Sequence, residues 1–309
     1  MDRELVFALV GATATGKTDV GEALADSLAA EIVCADSRQV FRELDLGTGK
    51  PAAVARAARP HHLFDALALE DRPSAGWFAR AAGEVIGAIR ARARRPLLVG
   101  GAGLYMRALQ EGLSSEPALD PEARARLAAE HASAPVAELH ARLRALDPAG
   151  ASRLRPSDRQ RVSRALEVVE LSGRPLGWWR EQPTRPPIAG EWRIVELRVS
   201  PADASRRIAA RTRWMFAHGL VAEVHRLLAA GRAPALRRLR AVGYDEALDL
   251  LTGAVTRAEA EERTTQRTRQ LARRQRTWFR HQIAADVVEC ADAPLEATVS
   301  AVRARFGAG

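Results

Sequence analysis

Cysteine and long apolar runs are scarce in this 309-residue chain, and each shortage excludes a class of protein. The two cysteines, Cys34 and Cys290, are too few for a disulfide framework or a cysteine-ligated metal cluster. No apolar stretch approaches the roughly 20 residues of a membrane-spanning helix. A strand pattern begins within a few residues of Met1, which leaves no room for a signal peptide. We therefore expect a cytoplasmic protein that makes no contact with a membrane.

Lysine is almost missing, although the chain is rich in positive charge. Of the 47 lysines and arginines, only Lys17 and Lys50 are lysines. A compact ammonium that fits within a ring of backbone groups cannot be exchanged for a planar guanidinium, so both lysines are candidate site residues. The net charge of +9 favours a polyanionic partner.

An apolar run and a glycine-rich turn open the chain. Residues 5–10 predict a buried strand, and the next eight residues match the phosphate-binding loop Gly-x-x-x-x-Gly-Lys-Thr. Backbone N–H groups of such a loop converge on an anion at a helix start, while Lys17 adds a charge and Thr18 a hydroxyl for Mg²⁺. A glycine-rich turn without a ligand is the alternative. The predicted cofactor-binding residues are Gly11, Ala12, Thr13, Ala14, Thr15, Gly16, Lys17 and Thr18.

A second predicted strand, residues 31–35, ends at Asp36. Side chains just past the carboxyl ends of strands line the ligand crevice of an open α/β sheet. Asp36 is therefore expected near the phosphate loop, together with Ser37, Arg38 and Gln39. A helix N-cap formed by Asp36 or Ser37 is the alternative interpretation.

Further glycine-rich segments follow. Residues 46–51 form a predicted loop that carries Lys50, and the predicted strand 96–99 ends in three glycines, which mark a close approach of the backbone. His61 and His62 are expected in a loop, where packing or hydrogen bonding is a simpler role than metal binding because no further ligands are visible.

Strand patterning stops near residue 117 and returns at residues 192–199. The segment between them is helical, rich in arginine and alanine, and interrupted by prolines. The sequence thus predicts an α/β protein with a helical insertion. Its expected parts are a core at 1–116 and 191–309 and the insertion at 117–190.

Arginines lie on one face of two predicted helices. Arg161 and Arg164, three residues apart in the insertion, share a face, for which a solvated basic surface is the alternative. A continuous helix over residues 263–280 carries seven arginines. Four of them form a stripe away from its apolar sector that suits a phosphate backbone, namely Arg269, Arg273, Arg276 and Arg280.

The chain resembles the tRNA dimethylallyltransferase family, also called tRNA isopentenyltransferases, over nearly its full length. The resemblance rests on several motifs in the same order. They are the loop Gly11 to Thr18, Ala35 to Phe41, Gly47 to Pro51, Gly100 to Tyr105, Asp158 to Arg161 with Arg164 to Glu167, Gly243-Tyr244, and Thr268 to Arg280.

The resemblance implies a P-loop NTPase-like core with a parallel sheet and a helical insertion that binds tRNA. It also implies transfer of a dimethylallyl group from dimethylallyl diphosphate to N6 of the adenosine 3′ to the anticodon (position 37), in tRNAs that read codons beginning with U. Mg²⁺, partly held by Thr18, is the implied cofactor. We expect a monomer that binds the tRNA anticodon stem-loop.

The implied catalytic residues are Asp36, which orients the amine and accepts its proton, and Lys17 and Arg211, which bind the diphosphate. The implied tRNA-binding residues are Asp36, Ser37, Arg38, Gln39, Lys50, Ala102, Gln160, Arg161, Arg164, Arg240, Gly243, Tyr244, Arg269, Arg273, Arg276 and Arg280.

The chain departs from the family pattern at four positions. Ala12 and Thr15 stand where the family usually has proline and serine, and both leave the backbone cradle intact. Phe41 replaces the usual tyrosine. The family normally has threonine at Ala102, and alanine lacks the hydroxyl that would help to hold the reacting amine or the leaving group.

Two other functions fit parts of the sequence. A small-molecule kinase would use the same loop for ATP, but it gives the insertion and the basic helix no role. A non-catalytic RNA-binding protein would explain the arginines, but it gives Lys17 and Asp36 no role.

Overall fold

The computed structural model describes residues 5–113, 120–290 and 293–307. The chain divides into two compact units, one formed by residues 1–110 with 187–309 and the other by residues 111–186. The expected boundary at residue 117 lies outside the described residues. Below, the first is called the sheet unit and the second the helical unit.

One parallel sheet forms the centre of the sheet unit, which confirms the predicted α/β class. Its spatial order is β3-β2-β4-β1-β5-β6, and every neighbouring pair runs parallel. The strands are β1 (Val6–Gly11), β2 (Ala30–Cys34), β3 (His61–His62), β4 (Arg95–Gly100), β5 (Trp192–Arg198) and β6 (Asp286–Glu289).

Helices cover both faces of this sheet. The helices of the sheet unit are α1 (Lys17–Leu28), α2 (Ala53–Ala58), α3 (Ala75–Ala91), α4 (Gly103–Gln110), α10 (Pro201–Ala217), α11 (Leu220–Ala229), α12 (Ala233–Leu239), α13 (Tyr244–Leu251), α14 (Arg257–Gln282) and α15 (Leu295–Phe306). Among the described residues, no helix combines the length and the apolar character needed to cross a membrane.

The central strand β1 shows why the layers form. All six of its residues are buried, and successive side chains point to opposite faces. Ala8 packs in the cluster that contains Phe78 of α3, whereas Phe7 packs in the cluster of α1 and α15, with its ring centroid 4.8 Å from that of Phe306. A strand that is apolar throughout therefore requires a helical layer on each side.

Three turns meet at the carboxyl ends of β1, β2 and β4. At Gly100 a Cβ would overlap the backbone of Ala35, and at Gly101 it would lie 3.2 Å from the carbonyl oxygen of Gly11. The Ala102 N–H donates to the Ala35 carbonyl across 3.1 Å. This packing brings the phosphate loop, Asp36 and the β4 turn to one edge of the sheet.

The structure corrects two local predictions. His61 and His62 form the edge strand β3, paired with Ile32 and Val33, rather than a loop. No strand was predicted after residues 192–199, whereas β6 pairs with β5. Both strands are short, and a pairing partner distant in sequence stabilises each of them.

The helical unit contains α5 (Pro121–Ser133), α6 (Val136–Leu146), α7 (Pro148–Ser152), α8 (Arg159–Ser172) and α9 (Leu176–Glu181). Leu143 of α6 and Leu166 of α8 are fully buried in its apolar cluster. Asp147, 3% exposed, accepts hydrogen bonds from the N–H groups of Gly150 and Leu176, each across 2.8 Å. One carboxylate thus caps α7 and holds the start of α9.

We predict that Asp147→Ala lowers the free energy of unfolding by about 2–4 kcal/mol, because two buried backbone donors lose their acceptor. Asp158→Ala is the matched control, because Asp158 caps α8 through one N–H group, that of Arg161, and is less buried. It should cost about 1 kcal/mol. Chemical denaturation of the full chain measures both values, and equal losses would contradict the role of Asp147.

Candidate active site

The loop between β1 and α1 has the geometry of an anion site. Ala14 and Gly16 adopt positive φ angles of 67° and 88°, and Gly16 directly precedes the first turn of α1. Left-handed residues in such a loop turn successive N–H groups toward one point at the positive end of the helix. The predicted strand, turn and helix are therefore all present.

Lys17 lies inside this loop. Its Nζ donates to the Ala12 carbonyl across 2.6 Å, and the Thr15 hydroxyl donates to the same oxygen across 3.0 Å. Burial lowers the pKa of Lys17 to about 8, which the negative charge of Asp36 partly opposes and the positive charge of Arg211 reinforces. A partly desolvated ammonium gains more from a bound anion than an exposed one does.

Asp36 follows β2, as predicted. Its Oδ1 accepts from the N–H groups of Arg38 and Gln39, across 2.8 and 3.4 Å. These bonds stabilise a turn over residues 37–40, and no helix begins there, so the helix N-cap alternative is wrong. Among the described residues, Oδ2 accepts no hydrogen bond, so this oxygen can serve a ligand.

Arg211 of α10 lies beside the loop that contains Gly49, where its guanidinium occupies the place that a Cβ on Gly49 would take. Burial lowers the pKa of Arg211, and the nearby carboxylates of Asp36 and Asp19 oppose that shift. A cation with such a planar fork of donors is suited to a diphosphate.

Two cavities meet at these residues. The phosphate cavity, of about 870 Å³, is lined by the loop residues Gly16 to Asp19. The aromatic cavity, of about 710 Å³, is lined by the β4 turn and by Tyr105 and Trp278. The side chains that line both are Thr13, Ala14, Asp36, Thr48, Arg211, Met215 and Gln275.

The aromatic cavity suits a flat ring. The ring of Tyr105 stacks on Phe78 at a centroid distance of 4.2 Å and an angle of 10°, and burial raises the pKa of Tyr105 to about 12. The Trp278 ring lies against Gly103 and occupies the place of a side chain there. Planar, mostly apolar walls of this kind can hold a nucleobase.

Comparisons with known proteins fit this geometry. The family model described as IPP transferase matches residues 39–282, and the model described as isopentenyl transferase matches residues 4–59. A tRNA dimethylallyltransferase of Halorhodospira halophila is 46% identical over 280 residues, which is 90% of each chain. One of Geobacter sulfurreducens is 41% identical over 279 residues, again 90% of each chain. This chain belongs to the tRNA dimethylallyltransferase family.

Solved structures of the family share the fold. The tRNA isopentenylpyrophosphate transferase of Bacillus halodurans matches 99% of this chain and 96% of its own, with a TM-score of 0.71 and 32% identity. A eukaryotic dimethylallyltransferase acting on tRNA matches 94% of this chain and 74% of its own, with a TM-score of 0.78. At 23% identity, the second match supports the fold alone.

Two residues that the family resemblance assigns to tRNA binding are buried and bond to other groups of the protein. The Lys50 side chain is fully buried, and its Nζ contacts the Phe41 carbonyl, Asp65 Oδ1 and Asp45 Oδ1 at 2.6–2.9 Å. An ammonium has three N–H donors, so Lys50 has none left for a phosphate. We therefore withdraw Lys50 as a tRNA contact.

Tyr244 is also fully buried, and its hydroxyl donates to Glu223 Oε1 across 2.5 Å. The same carboxylate accepts from the N–H groups of Asp45 and Leu46, across 2.8 and 2.9 Å. Burial and the Glu223 charge raise the pKa of Tyr244. Tyr244 therefore positions the loop that carries Gly49, and its expected contact with tRNA is replaced by this role.

Four of the remaining family-implied residues of the sheet unit line the aromatic cavity, namely Ser37, Arg38, Ala102 and Arg240. Gln39 lines the phosphate cavity instead, where its Nε2 donates to the carbonyl oxygens of Thr48 and Gly49 across 3.2 and 3.1 Å. Arg38 Nη2 donates to the Leu239 carbonyl across 2.8 Å. The Gly243 N–H donates to Glu246 Oε2 across 2.7 Å, so Gly243 acts through the backbone at a φ of 90°.

The arginine stripe is present on α14. Arg269, Arg273 and Arg280 are exposed and Arg276 is half-buried. None of the four guanidinium groups forms an ion pair or a hydrogen bond with the described part of the chain. They are therefore available to an external anion.

The three expected residues of the helical unit lie on α8. Gln160 and Arg161 are exposed, and Arg161 Nε is 3.5 Å from Asp158 Oδ2. Arg164 donates to Glu167 Oε2 across 2.8 Å. Arg161 and Arg164 share a face, as predicted, but each charge already has an acidic neighbour.

The donor set suits Mg²⁺ rather than a protein-enclosed metal. No cluster of three or more acidic, histidine or cysteine ligands occurs among the described residues. The Thr18 hydroxyl lines the phosphate cavity and forms no hydrogen bond with the described part of the protein. Mg²⁺ in phosphate sites commonly uses one or two protein oxygens and takes its other ligands from phosphate and water, so Thr18 fits.

Gln275, which lines both cavities, is a site residue that sequence reasoning missed. It falls within the resembling motif at Thr268 to Arg280, but an uncharged side chain among arginines carried no signal of its own. The pairing of a residue on α14 with the loop before α1 spans most of the chain, and only the fold reveals it.

We predict that anion binding at the phosphate loop takes up a proton at pH 8.5 but not at pH 6.5. With a pKa of about 8, Lys17 is only about one-quarter protonated at pH 8.5. A bound anion favours the charged form, so binding should take up about half a proton or more. Calorimetry of methyl diphosphate binding, in buffers of different ionisation enthalpy, measures this uptake.

Lys17→Met is the control, because methionine is similar in length and carries no group that titrates, so the variant should bind more weakly but has nothing to protonate. Binding to this variant should proceed without proton uptake. Equal uptake by the variant and the unaltered protein would contradict the assignment of the titrating group to Lys17.

Proposed function

We propose that this chain transfers a dimethylallyl group from dimethylallyl diphosphate to N6 of adenosine 37 in tRNAs that read codons beginning with U, releasing diphosphate. One observation carries the proposal. The phosphate cavity, with its cations, and the aromatic cavity, with its flat walls, meet at a single carboxylate, that of Asp36. Such an arrangement presents a phosphorylated donor and a base to each other.

The leaving group would be stabilised electrostatically. As the allylic C–O bond breaks, negative charge grows on the diphosphate. The loop N–H groups at the start of α1, the Lys17 ammonium and the Arg211 guanidinium surround the phosphate cavity and would balance that charge. Mg²⁺ held by the Thr18 hydroxyl would supply Lewis-acid stabilisation to the same oxygens.

The nucleophile must be oriented and must lose a proton. The N6 amine of adenine is delocalised into its ring and attacks poorly. Asp36 Oδ2 would accept a hydrogen bond from this amine, orient its lone pair toward the allylic carbon and take its proton as the C–N bond forms. Oδ1 is held by two backbone N–H groups, so the carboxylate keeps its direction.

The target base must leave the stack of the anticodon loop to reach Asp36. We propose that it enters the aromatic cavity, with Ser37 and Arg38 near its edge and Ala102 and Arg240 around it. The arginine stripe of α14 would hold tRNA phosphates. Gln160, Arg161 and Arg164 of the helical unit would hold the anticodon stem-loop.

Labelled substrates test this function. With dimethylallyl diphosphate and unmodified tRNA, the label should enter tRNA at adenosine 37, while labelled ATP in a parallel reaction should transfer no phosphoryl group. Asp36→Asn keeps the shape but removes the proton acceptor, so kcat should fall about 10²- to 10⁴-fold. The KM for dimethylallyl diphosphate should change much less.

One result would contradict the proposed reaction, and another would contradict the role of Asp36. Transfer of label from ATP with no prenylated tRNA would favour a kinase. An Asp36→Asn variant with unchanged kcat would leave prenyl transfer possible but would remove Asp36 from the chemistry.

We predict that Arg273→Ala combined with Arg276→Ala weakens tRNA binding and lowers the salt slope of log Kd by about 2, because each phosphate contact releases about one counterion. The control is Arg206→Ala combined with Arg257→Ala, since those arginines already pair with Asp203 and Glu261. Filter binding across a salt series measures the slope. Equal slopes for the two double variants would remove the stripe from the tRNA interface.

A further inference from the structure

Gln275 joins two walls of the site through both atoms of its side-chain amide. Its Oε1 accepts from the N–H group of Thr13, in the phosphate loop, across 2.9 Å. Its Nε2 donates to the carbonyl of Gly101, in the turn after β4, across 3.0 Å. A donor and an acceptor at this fixed spacing are what an amide offers and what few other side chains can offer.

The contacts of Gln275 also reach the Asp36 segment indirectly. The β4 turn, held by Gln275, is itself fixed to β2, because the Ala102 N–H donates to the Ala35 carbonyl across 3.1 Å. Ala35 is the residue before Asp36. The phosphate loop and the Asp36 segment are therefore connected through the Gln275 side chain and the β4 turn.

Gly101 shows how close this contact is. A Cβ on Gly101 would overlap Nε2 of Gln275, so a side chain there would displace the amide. Both polar atoms of Gln275 hold backbone groups of the protein, and each keeps one further hydrogen-bonding position. The two bonds that it makes fix the phosphate loop against the β4 turn.

We propose that Gln275 is a positioning residue that sets the distance between the bound diphosphate and the Asp36 carboxylate. This inference rests on the proposed prenyl transfer. The reaction requires the allylic carbon and the amine to approach each other in line, and an error of about 1 Å in such a geometry costs as much as 100-fold in rate. Gln275 determines rate more than substrate affinity.

The first test is Gln275→Met, which keeps the length and apolar volume but removes both hydrogen bonds. We expect kcat to fall about 10- to 100-fold, while the Kd for tRNA and its salt slope stay within two-fold of the unaltered protein. Gln266→Met is the matched control. Gln266 lies on the same helix, is exposed and bonds only to Glu262 Oε1, across 2.8 Å, so its replacement should leave kcat unchanged.

The second test is Gln275→Glu over a pH series. An ionised carboxylate can accept from Thr13 but repels the Gly101 carbonyl, whereas the protonated acid again has one donor and one acceptor. Of the charged groups in the two cavities, Asp36 and Arg211 line both with Gln275, Lys17 lines the phosphate cavity and Arg274 the aromatic cavity. The cations favour the ionised form and the Gly101 carbonyl opposes it, so the pH series must reach the ordinary pKa range of a glutamate, about 4.3. The ratio of variant kcat to unaltered kcat should rise as the pH falls from 8 to about 4.5, while the ratio for Gln275→Met stays flat.

The outcomes separate two failures. If the unaltered protein prenylates tRNA but Gln275→Met matches it in kcat, or the Gln275→Glu ratio is flat, the positioning role is wrong and the function stands. If the unaltered protein transfers no dimethylallyl group, the proposed function itself fails, and the positioning role fails with it.

Discussion

The close approach of three backbone turns at one edge of the sheet determines the site. A side chain at Gly100 would overlap the backbone of Ala35, and one at Gly101 would place its Cβ 3.2 Å from the Gly11 carbonyl oxygen. These close approaches to backbone atoms set the spacing of the phosphate loop, the end of β2 and the β4 turn. Lys17 and Asp36 are therefore held near each other, and the Asp36 charge opposes the lowering of the Lys17 pKa that burial causes.

The parts of the fold with strong local signals were predictable from the sequence. The loop between β1 and α1 was recognised from its glycines and Lys17, and the place of Asp36 from the apolar run that ends before it. The strands β3 and β6 were missed because two and four residues carry too little pattern without their partners. Gln275 was missed for a related reason, since its bonds join residues 262 and 174 positions apart.

The rarity of lysine pointed to two positions, and the structure gives them different surroundings. Both ammonium groups donate to a backbone carbonyl, Lys17 to Ala12 and Lys50 to Phe41. Lys50 differs in that Asp45 and Asp65 neutralise it within the protein. The two lysines therefore occupy positions that need a compact cation. The neighbouring carboxylates distinguish the lysine with a structural role from the one that is open to a ligand.

The order of the strands has a consequence for synthesis on the ribosome. Strand β1 lies between β4 and β5, and β5 follows the helical unit in sequence. One edge of β1 thus stays unpaired until about 200 residues have been made, and an apolar open edge invites aggregation. Helices with local contacts form faster than such long-range pairings. The helical unit can fold before β5 has been made and can pair with β1. The growing chain is most exposed to misassembly between the synthesis of β4 and that of β5.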